Sequence, residues 1–160
     1  MKSPKPIPEN IERLTHIRNG DLETAPEFKD VIGKFLRFAG DDAILVAQCG
    51  FEYDFELLQN ELKRNRLGCL NHMKMDTKVL FAAIHPELDE TFSTDFLLRY
   101  YNIKSDDVPR HDALGDRILI ARILCAILQE YKQKNVRDLL IGHELAIRKF
   151  GLTPPDELRG

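Results

Sequence analysis

The longest apolar run of the chain lies in its second half. From Arg117 onward, every position from 118 to 128 except Arg122 is apolar, a density too continuous for a helix with one solvent-exposed face. We predict a buried helix there, with Asp112 as its N-cap. His111 lies just before this helix and Asp116 lies in its first turns. Both side chains can therefore point into one site.

Shorter apolar patterns predict the other elements. The run Ala43–Ala47, flanked by Gly and Asp residues, is typical of a central parallel strand buried on both faces. A second short strand is predicted around 68–72. Helical periodicity and capping residues predict helices within 9–17, 24–38, 53–67, 76–84, 92–103 and 136–150, with Thr24 as N-cap of the second. The pattern indicates an α/β fold, rich in helix with few short strands.

The length of the chain predicts one domain, and its first and last residues predict an arm and a tail. A chain of 160 residues, 43% of them hydrophobic, is long enough to bury a core. Prolines at 4, 6 and 8 exclude a helix over residues 1–8 and predict an extended arm. The core is expected over 9–150, and 151–160 form a tail.

Charge and cysteine content restrict the partners and the compartment. The net charge of −3 and the pI near 6.0 give no overall basic surface, so a nucleic acid would need a local patch or metal ions. Three cysteines without C-x-x-C spacing, and an N-terminus without an apolar run, predict a cytoplasmic protein. Arg122 interrupts the longest apolar stretch, so no membrane span is predicted.

Two stretches together resemble one family. The segment 45–62, L-V-A-Q-C-G-F-E-Y-D-F-E-L-L-Q-N-E-L, is similar to the second motif of the DEDDh 3′–5′ exonucleases, the DnaQ-like group with a ribonuclease H-like fold. It is nearest to the three-prime repair branch. Residues 111–116, H-D-A-L-G-D, resemble the family's H-x-A-x-x-D motif, and Asp76-Thr77 falls where the family has a similar dipeptide. The likeness extends from about Pro4 to Phe150.

The resemblance implies a chemistry and a site. In that family four carboxylates hold two divalent metal ions and a histidine is the general base. It implies Asp54 and Asp116 as metal ligands, His111 as the base, and Mg²⁺ or Mn²⁺ as cofactor. The implied partner is the 3′ end of single-stranded DNA or RNA, and the implied roles are DNA repair or replication proofreading.

The chain also departs from the family pattern. The family's first motif, D-x-E on a central strand, should precede Asp54 by several tens of residues, and the chain opens about where that strand would have passed. We therefore expect an N-terminally truncated form, weak or inactive alone. The sequence Asp21-Leu-Glu23 is no substitute, because Asn19-Gly20 stands before it where an apolar strand is required. Gln48 and Cys49 replace the family's His-Asn, so we expect the turn beside Asp54 to lack polar contacts.

Ordinary structural roles remain open for each residue. Without the resemblance, Asp54 would be explained as the cap of its helix. Asp116 would be explained by a favourable interaction with the dipole of the helix in whose first turn it lies, with no metal. Other side chains with two explanations are Lys63, Arg64 and Arg66, as a solvated face or a DNA contact, and Tyr100 and Tyr101, as core or base-stacking groups.

Two functions from different classes follow. One is an exonuclease-type domain that acts on or binds 3′ ends. The other is a non-catalytic interaction module, or decayed fragment, that retains part of the fold. If the first strands are missing, the Ala43–Ala47 strand has an exposed sheet edge, which predicts self-association or a partner chain.

Overall fold

The computed structural model describes residues 3, 5–109 and 112–137. Helices and strands follow one another as α1 (Glu9–Thr15), α2 (Asn19–Glu23), α3 (Phe28–Ala39), β1 (Ile44–Ala47), α4 (Asp54–Arg64), β2 (Met73–Asp76), α5 (Thr77–Ile84), α6 (Thr94–Tyr100) and α7 (Ala113–Gln133). This order confirms an α/β fold with helix in excess. The predicted helix over 136–150 and the tail fall almost wholly outside the described residues. Among the described helices, none has the length and apolar character needed to cross a membrane.

The two strands form a parallel pair. Ile44 is opposite Met73 and Ala47 is opposite Asp76, and α4 provides the crossover between the strands. The second strand begins later than predicted, so the strand expected at 68–72 is wrong. Gly68 has a left-handed φ of 80° that continues the turn after α4, and Leu70 packs into a hydrophobic cluster before the chain extends.

The expectation that β1 is buried on both faces is also wrong. Ile44 and Val46 are 44% and 36% exposed, whereas Leu45 is half-buried. Leu45 packs against a cluster built on the buried side chains of Ile32, Leu62 and Leu70. Helices α3 and α4 therefore cover one face of β1, and the described residues leave the other face partly open.

The start of α3 differs from the prediction as well. Its N-cap is Glu27 rather than Thr24, because Thr24 closes the preceding helix, with its N–H bonded to the carbonyl of Leu22. The predicted helix over 24–38 therefore begins later, as α3, and a short helix that was not predicted, α2, precedes it. The described residues ahead of α1 contain no helix, in agreement with the prediction of an extended arm.

Helix α7 is the main support of the core. Its buried side chains recur every four residues and meet α5 and α6 in a cluster of Leu80, Phe81, Phe92, Leu97, Leu98, Leu119, Ile123, Ile127 and Tyr131. The prediction of a helix buried all round is wrong, since Leu114 and Leu128 are 51% and 38% exposed. Asp112 is its N-cap as predicted, and the carboxylate accepts from the N–H groups of Leu114 and Gly115 at 3.1 and 3.0 Å.

Candidate active site

A tight turn connects the end of β1 to the start of α4. Cys49 has a left-handed φ of 58°, and the N–H of Phe55 donates to the carbonyl of Gly50 at 2.8 Å. A Cβ on Gly50 would lie 2.6 Å from side-chain atoms of both Ala47 and Phe55, so only glycine fits there. The turn therefore fixes where α4 begins and makes Asp54 its first residue.

The carboxylate of Asp76 accepts hydrogen bonds from the backbone of this turn. Its side chain is almost fully buried, at 2% exposed, and lies at the end of β2 beside Ala47. One oxygen, Oδ1, accepts from the N–H of Cys49 at 3.1 Å and of Lys78 at 2.9 Å, and Oδ2 accepts from the N–H of Phe51 at 3.1 Å. Burial raises the pKa of Asp76, and the backbone donors partly offset that rise.

The side chain of Gln48 connects the same turn to two other segments. Its amide nitrogen donates to the carbonyl of Phe92 at 2.7 Å, and its oxygen accepts from the hydroxyl of Thr77. The expectation of a turn without polar contacts is therefore wrong for Gln48. Burial raises the pKa of the Cys49 thiol to about 11, so that side chain is a neutral thiol at physiological pH.

An ion pair forms a second contact between α5 and the turn. The ammonium group of Lys78 donates to a carboxylate oxygen of Glu52, whose residue is only 6% exposed. The sequence did not predict this pair, because the two residues are 26 positions apart and no motif or periodic pattern connects them. Lys78 therefore places one positive charge beside the turn between β1 and α4, which carries Glu52.

Asp54 is the first residue of α4 and directly follows this turn. Tyr53, and not Asp54, is the N-cap of α4, so capping does not account for Asp54. Partial burial of the Asp54 carboxyl group raises its pKa, and the negative charge of Asp76 raises it further. A carboxyl group with a raised pKa at the carboxyl end of parallel strands is a typical candidate for a functional site.

Of the other two predicted site residues, one is described by the structure. Asp116 is half-buried in the first turn of α7, and His111 lies outside the described residues. A Cβ on Gly115 would come within 1.9 Å of the carbonyl oxygen of Pro109, so glycine allows the preceding loop to lie close against the helix. Pro109 therefore lies against the first turn of α7, which carries Asp116.

The donor set of the described residues is incomplete for a metal site. Asp54 and Asp116 offer hard oxygen donors, which suit Mg²⁺ or Mn²⁺. Within the residues that the structure describes, no three or more His, Cys, Asp or Glu side chains are grouped so as to hold an ion. The convergence of Asp54, Asp116 and His111 on one cleft stays a prediction.

The other candidates named from the sequence are basic residues at the end of α4 and two tyrosines at the end of α6. Lys63, Arg64 and Arg66 are exposed, and Arg64 pairs with Glu61 one turn away, which is typical of a solvated helix face. The hydroxyl of Tyr101 donates to Glu130 at 2.6 Å. The rings of both Tyr100 and Tyr101 pack against Phe81, and Tyr101 belongs to the hydrophobic cluster around it. Tyr100 is 45% exposed, so its two explanations both stay open.

The D-L-E sequence at 21–23 lies on a helix. Asp21 belongs to the first turn of α2, where its carboxylate accepts from the N–H of Arg18 at 2.9 Å. Asp21 and Glu23 are exposed. Asp21 therefore stabilises the start of a surface helix that ends at Glu23. That the two residues do not replace the family's strand motif stays a prediction.

The raised pKa of Asp54 predicts a pH-dependent gain in stability for Asp54→Asn. A carboxyl group whose pKa is higher in the folded chain than in the unfolded chain opposes folding once the pH exceeds the unfolded value. Without metal, Asp54→Asn should therefore melt slightly above wild type at neutral pH. The difference should vanish below the ordinary Asp pKa of about 3.9.

Thermal melts in the presence of a chelator, taken from acidic to neutral pH, measure this difference. Asp89→Asn is the matched control, since Asp89 is exposed and should show no pH-dependent gain. A lower melting temperature for Asp54→Asn at neutral pH would contradict the prediction.

Comparison with known proteins identifies the family of this chain. A family model described as exonuclease, RNase_T, matches residues 1–124. DNA polymerase III subunit epsilon of Aquifex aeolicus is 30% identical over 124 residues, which are 78% of this chain and 59% of that protein.

Two further relatives are DNA polymerase III PolC-type proteins. The protein of Mycoplasma genitalium is 24% identical over 139 residues, or 87% of this chain, and that of Staphylococcus epidermidis is 28% identical over 134 residues, or 84%. The match covers 9% of each of these two relatives, so this chain spans less than two thirds of the relatives compared. The nearest branch of the family stays a prediction. The chain belongs to the RNase_T exonuclease family, the DnaQ-like group, and has the ribonuclease H-like fold that this family implies.

Proposed function

We propose that this chain is an exonuclease-type domain that acts on or binds the 3′ ends of nucleic acids. The observation that carries the proposal is the position of Asp54, the first residue of α4, directly after a turn that Asp76 hydrogen-bonds at the carboxyl ends of the parallel strands. Family membership supplies the class of reaction, hydrolysis of phosphodiester bonds. The DNA polymerase III relatives favour DNA over RNA and a role beside a polymerase, such as proofreading.

The proposed residues have separate roles. Asp54 and Asp116 bind a divalent cation through their carboxylate oxygens, and His111 accepts a proton from the attacking water. When bound, Mg²⁺ or Mn²⁺ would stabilise negative charge at the scissile phosphate. The rigid turn keeps the Asp54 carboxylate in place before the substrate arrives, which lowers the cost of ordering the site.

The proposed activity of this chain alone is weak. Two carboxylates compensate the charge of divalent ions only partly, and Mg²⁺ loses its water shell reluctantly without a well-formed set of oxygen ligands. Only two of the family's four carboxylates, Asp54 and Asp116, are identified in this sequence. The same departure from the family pattern favours the second candidate, a non-catalytic interaction module that keeps the fold and binds no metal.

A Mn²⁺ titration distinguishes the two functions. In the exonuclease-type protein, millimolar Mn²⁺ should raise the melting temperature of the wild type, because the ion binds the folded chain and not the unfolded one. Asp54→Asn and Asp116→Asn should each lose most of that rise, whereas Asp89→Asn should keep it. Differential scanning fluorimetry and calorimetry measure the two effects. A wild type that shows neither a shift nor heat would favour the interaction module.

Activity on a single-stranded DNA with a labelled 5′ end should be slight or absent with Mg²⁺. Gel analysis of shortened products over hours measures it, with His111→Ala as the comparison. Efficient trimming by the wild type that disappears in His111→Ala would contradict the weak-activity prediction. It would mean that carboxylates beyond Asp54 and Asp116 complete the site.

The open side of β1 predicts self-association. Within the described part of the chain, β1 pairs only with β2, which leaves its other edge without a partner strand, and Ile44 and Val46 are exposed on its open face. We expect a dimer in light scattering coupled to size exclusion. Val46→Lys should give a monomer, because a charge on an edge strand opposes pairing, without disturbing the cluster around Leu45.

The control for this experiment is Phe38→Lys, which adds the same charge to α3 at a residue 88% exposed. It should leave the dimer intact. A monodisperse wild-type monomer with a sharp melt at high temperature would contradict the exposed-edge argument.

A further inference from the structure

A buried carboxylate that takes no part in the proposed catalysis is hydrogen-bonded to the turn that precedes Asp54. Asp76 is 2% exposed and sits at the end of β2, where α5 begins. Burying a charged group in this way is unfavourable unless hydrogen bonds replace its water. Backbone N–H groups supply them here, two from the turn after β1 and others from the first turn of α5.

Capping of α5 explains only part of this arrangement. A helix cap needs one side-chain oxygen near the first free N–H groups, as Ser93 provides for α6 through a single bond to Phe96 at 3.1 Å. Asp76 uses Oδ1 for Lys78 in the same way, but shares that oxygen with Cys49 and directs Oδ2 to Phe51. The contacts with the turn exceed what the cap requires.

The two bonded amides control the direction in which the chain enters α4. Cys49 and Phe51 flank Gly50, whose carbonyl accepts the N–H of Phe55 in the first turn of that helix. Cys49 is held with a positive φ, a conformation that a non-glycine residue adopts only when its surroundings enforce it. The N–H of Cys49, bonded to Asp76, is part of what enforces it.

We propose that Asp76 is the positioning residue of this site: its carboxylate fixes residues 49–53 so that Asp54 is held ready to bind the cation. This inference rests on the proposed function of Asp54. Asp76 acts through the turn and does not touch substrate or cation itself. The ion pair of Lys78 and Glu52 adds a second link between α5 and the same turn.

The variant Asp76→Ser separates positioning from capping. A serine hydroxyl is a good N-cap for α5, but its single short oxygen cannot reach Cys49 and Phe51 together. Ser93→Ala is the matched control, because it removes a helix cap of similar kind that does not contact the turn. Asp76→Asn, which keeps the size of the side chain, is the second variant if the serine variant does not fold.

Two readouts are made on the full chain. Amide hydrogen exchange reports on the turn without metal, and Mn²⁺ alone is the probe of the site, by calorimetry and by paramagnetic broadening of the Asp54 amide signal. In Asp76→Ser, exchange at Cys49 and Phe51 should be faster by about tenfold or more, and Mn²⁺ affinity should fall by about tenfold, while the amides of α7 stay protected. Ser93→Ala should leave both values unchanged.

The outcomes separate this inference from the proposed function. Unchanged exchange at Cys49 and Phe51, or unchanged Mn²⁺ affinity, in Asp76→Ser would overturn the positioning role and leave the proposed function standing. A wild type that binds no Mn²⁺ would overturn the proposed function, and with it the role assigned to Asp76. Loss of affinity in Ser93→Ala equal to that in Asp76→Ser would show a general effect of lost stability, and would also overturn the positioning role.

Discussion

The buried carboxylate of Asp76 is the interaction on which the geometry of the site depends. It receives N–H groups from the turn after β1 and from the start of α5, so one side chain links two consecutive units of the fold. The parallel register makes this possible, because it places Asp76 beside Ala47 at the same end of the sheet. Without that register, the turn and the cap would not share one acceptor.

The small sheet also separates two hydrophobic clusters. Leu45 of β1 packs into the cluster beneath α3 and α4, whereas Met75 of β2 packs against the larger cluster beneath α5, α6 and α7. The larger cluster is closed at its far end by polar contacts, where Glu130 lies 2.9 Å from a ring nitrogen of His85 and accepts from Tyr101. Helix α7 is therefore anchored near Glu130 and capped by Asp112, which fixes the helix turn that carries Asp116.

Local signals in the sequence predicted the elements well. The apolar run at 43–47 located β1 to within one residue, and the Asp112 cap was correct, because both depend on neighbouring residues alone. The second strand was displaced because Leu70, although apolar, packs from an irregular segment. Exposure of Ile44 was not predictable, since it depends on which helices cover each face of the sheet.

The site was predicted less completely than the fold. Resemblance singled out Asp54 and Asp116, and the structure shows that Asp54 is not a cap and has a raised pKa. The hydrogen bonds of Asp76 to the turn before Asp54 were not predicted, because Asp76 bonds to residues 25 and 27 positions away and no periodic pattern reports such contacts. The roles expected for Asp54 and Asp116 come from the family resemblance, because their local surroundings do not reveal a shared role.

The most direct test of this account is anomalous X-ray diffraction from crystals of the full chain grown with millimolar Mn²⁺. The account predicts a manganese peak bonded to carboxylate oxygens of both Asp54 and Asp116 at roughly 2.0–2.6 Å. Absence of a peak at these residues, or a separation of more than about 10 Å between the two carboxyl groups, would contradict it, since a two-metal cluster spans only about 4 Å between its ions.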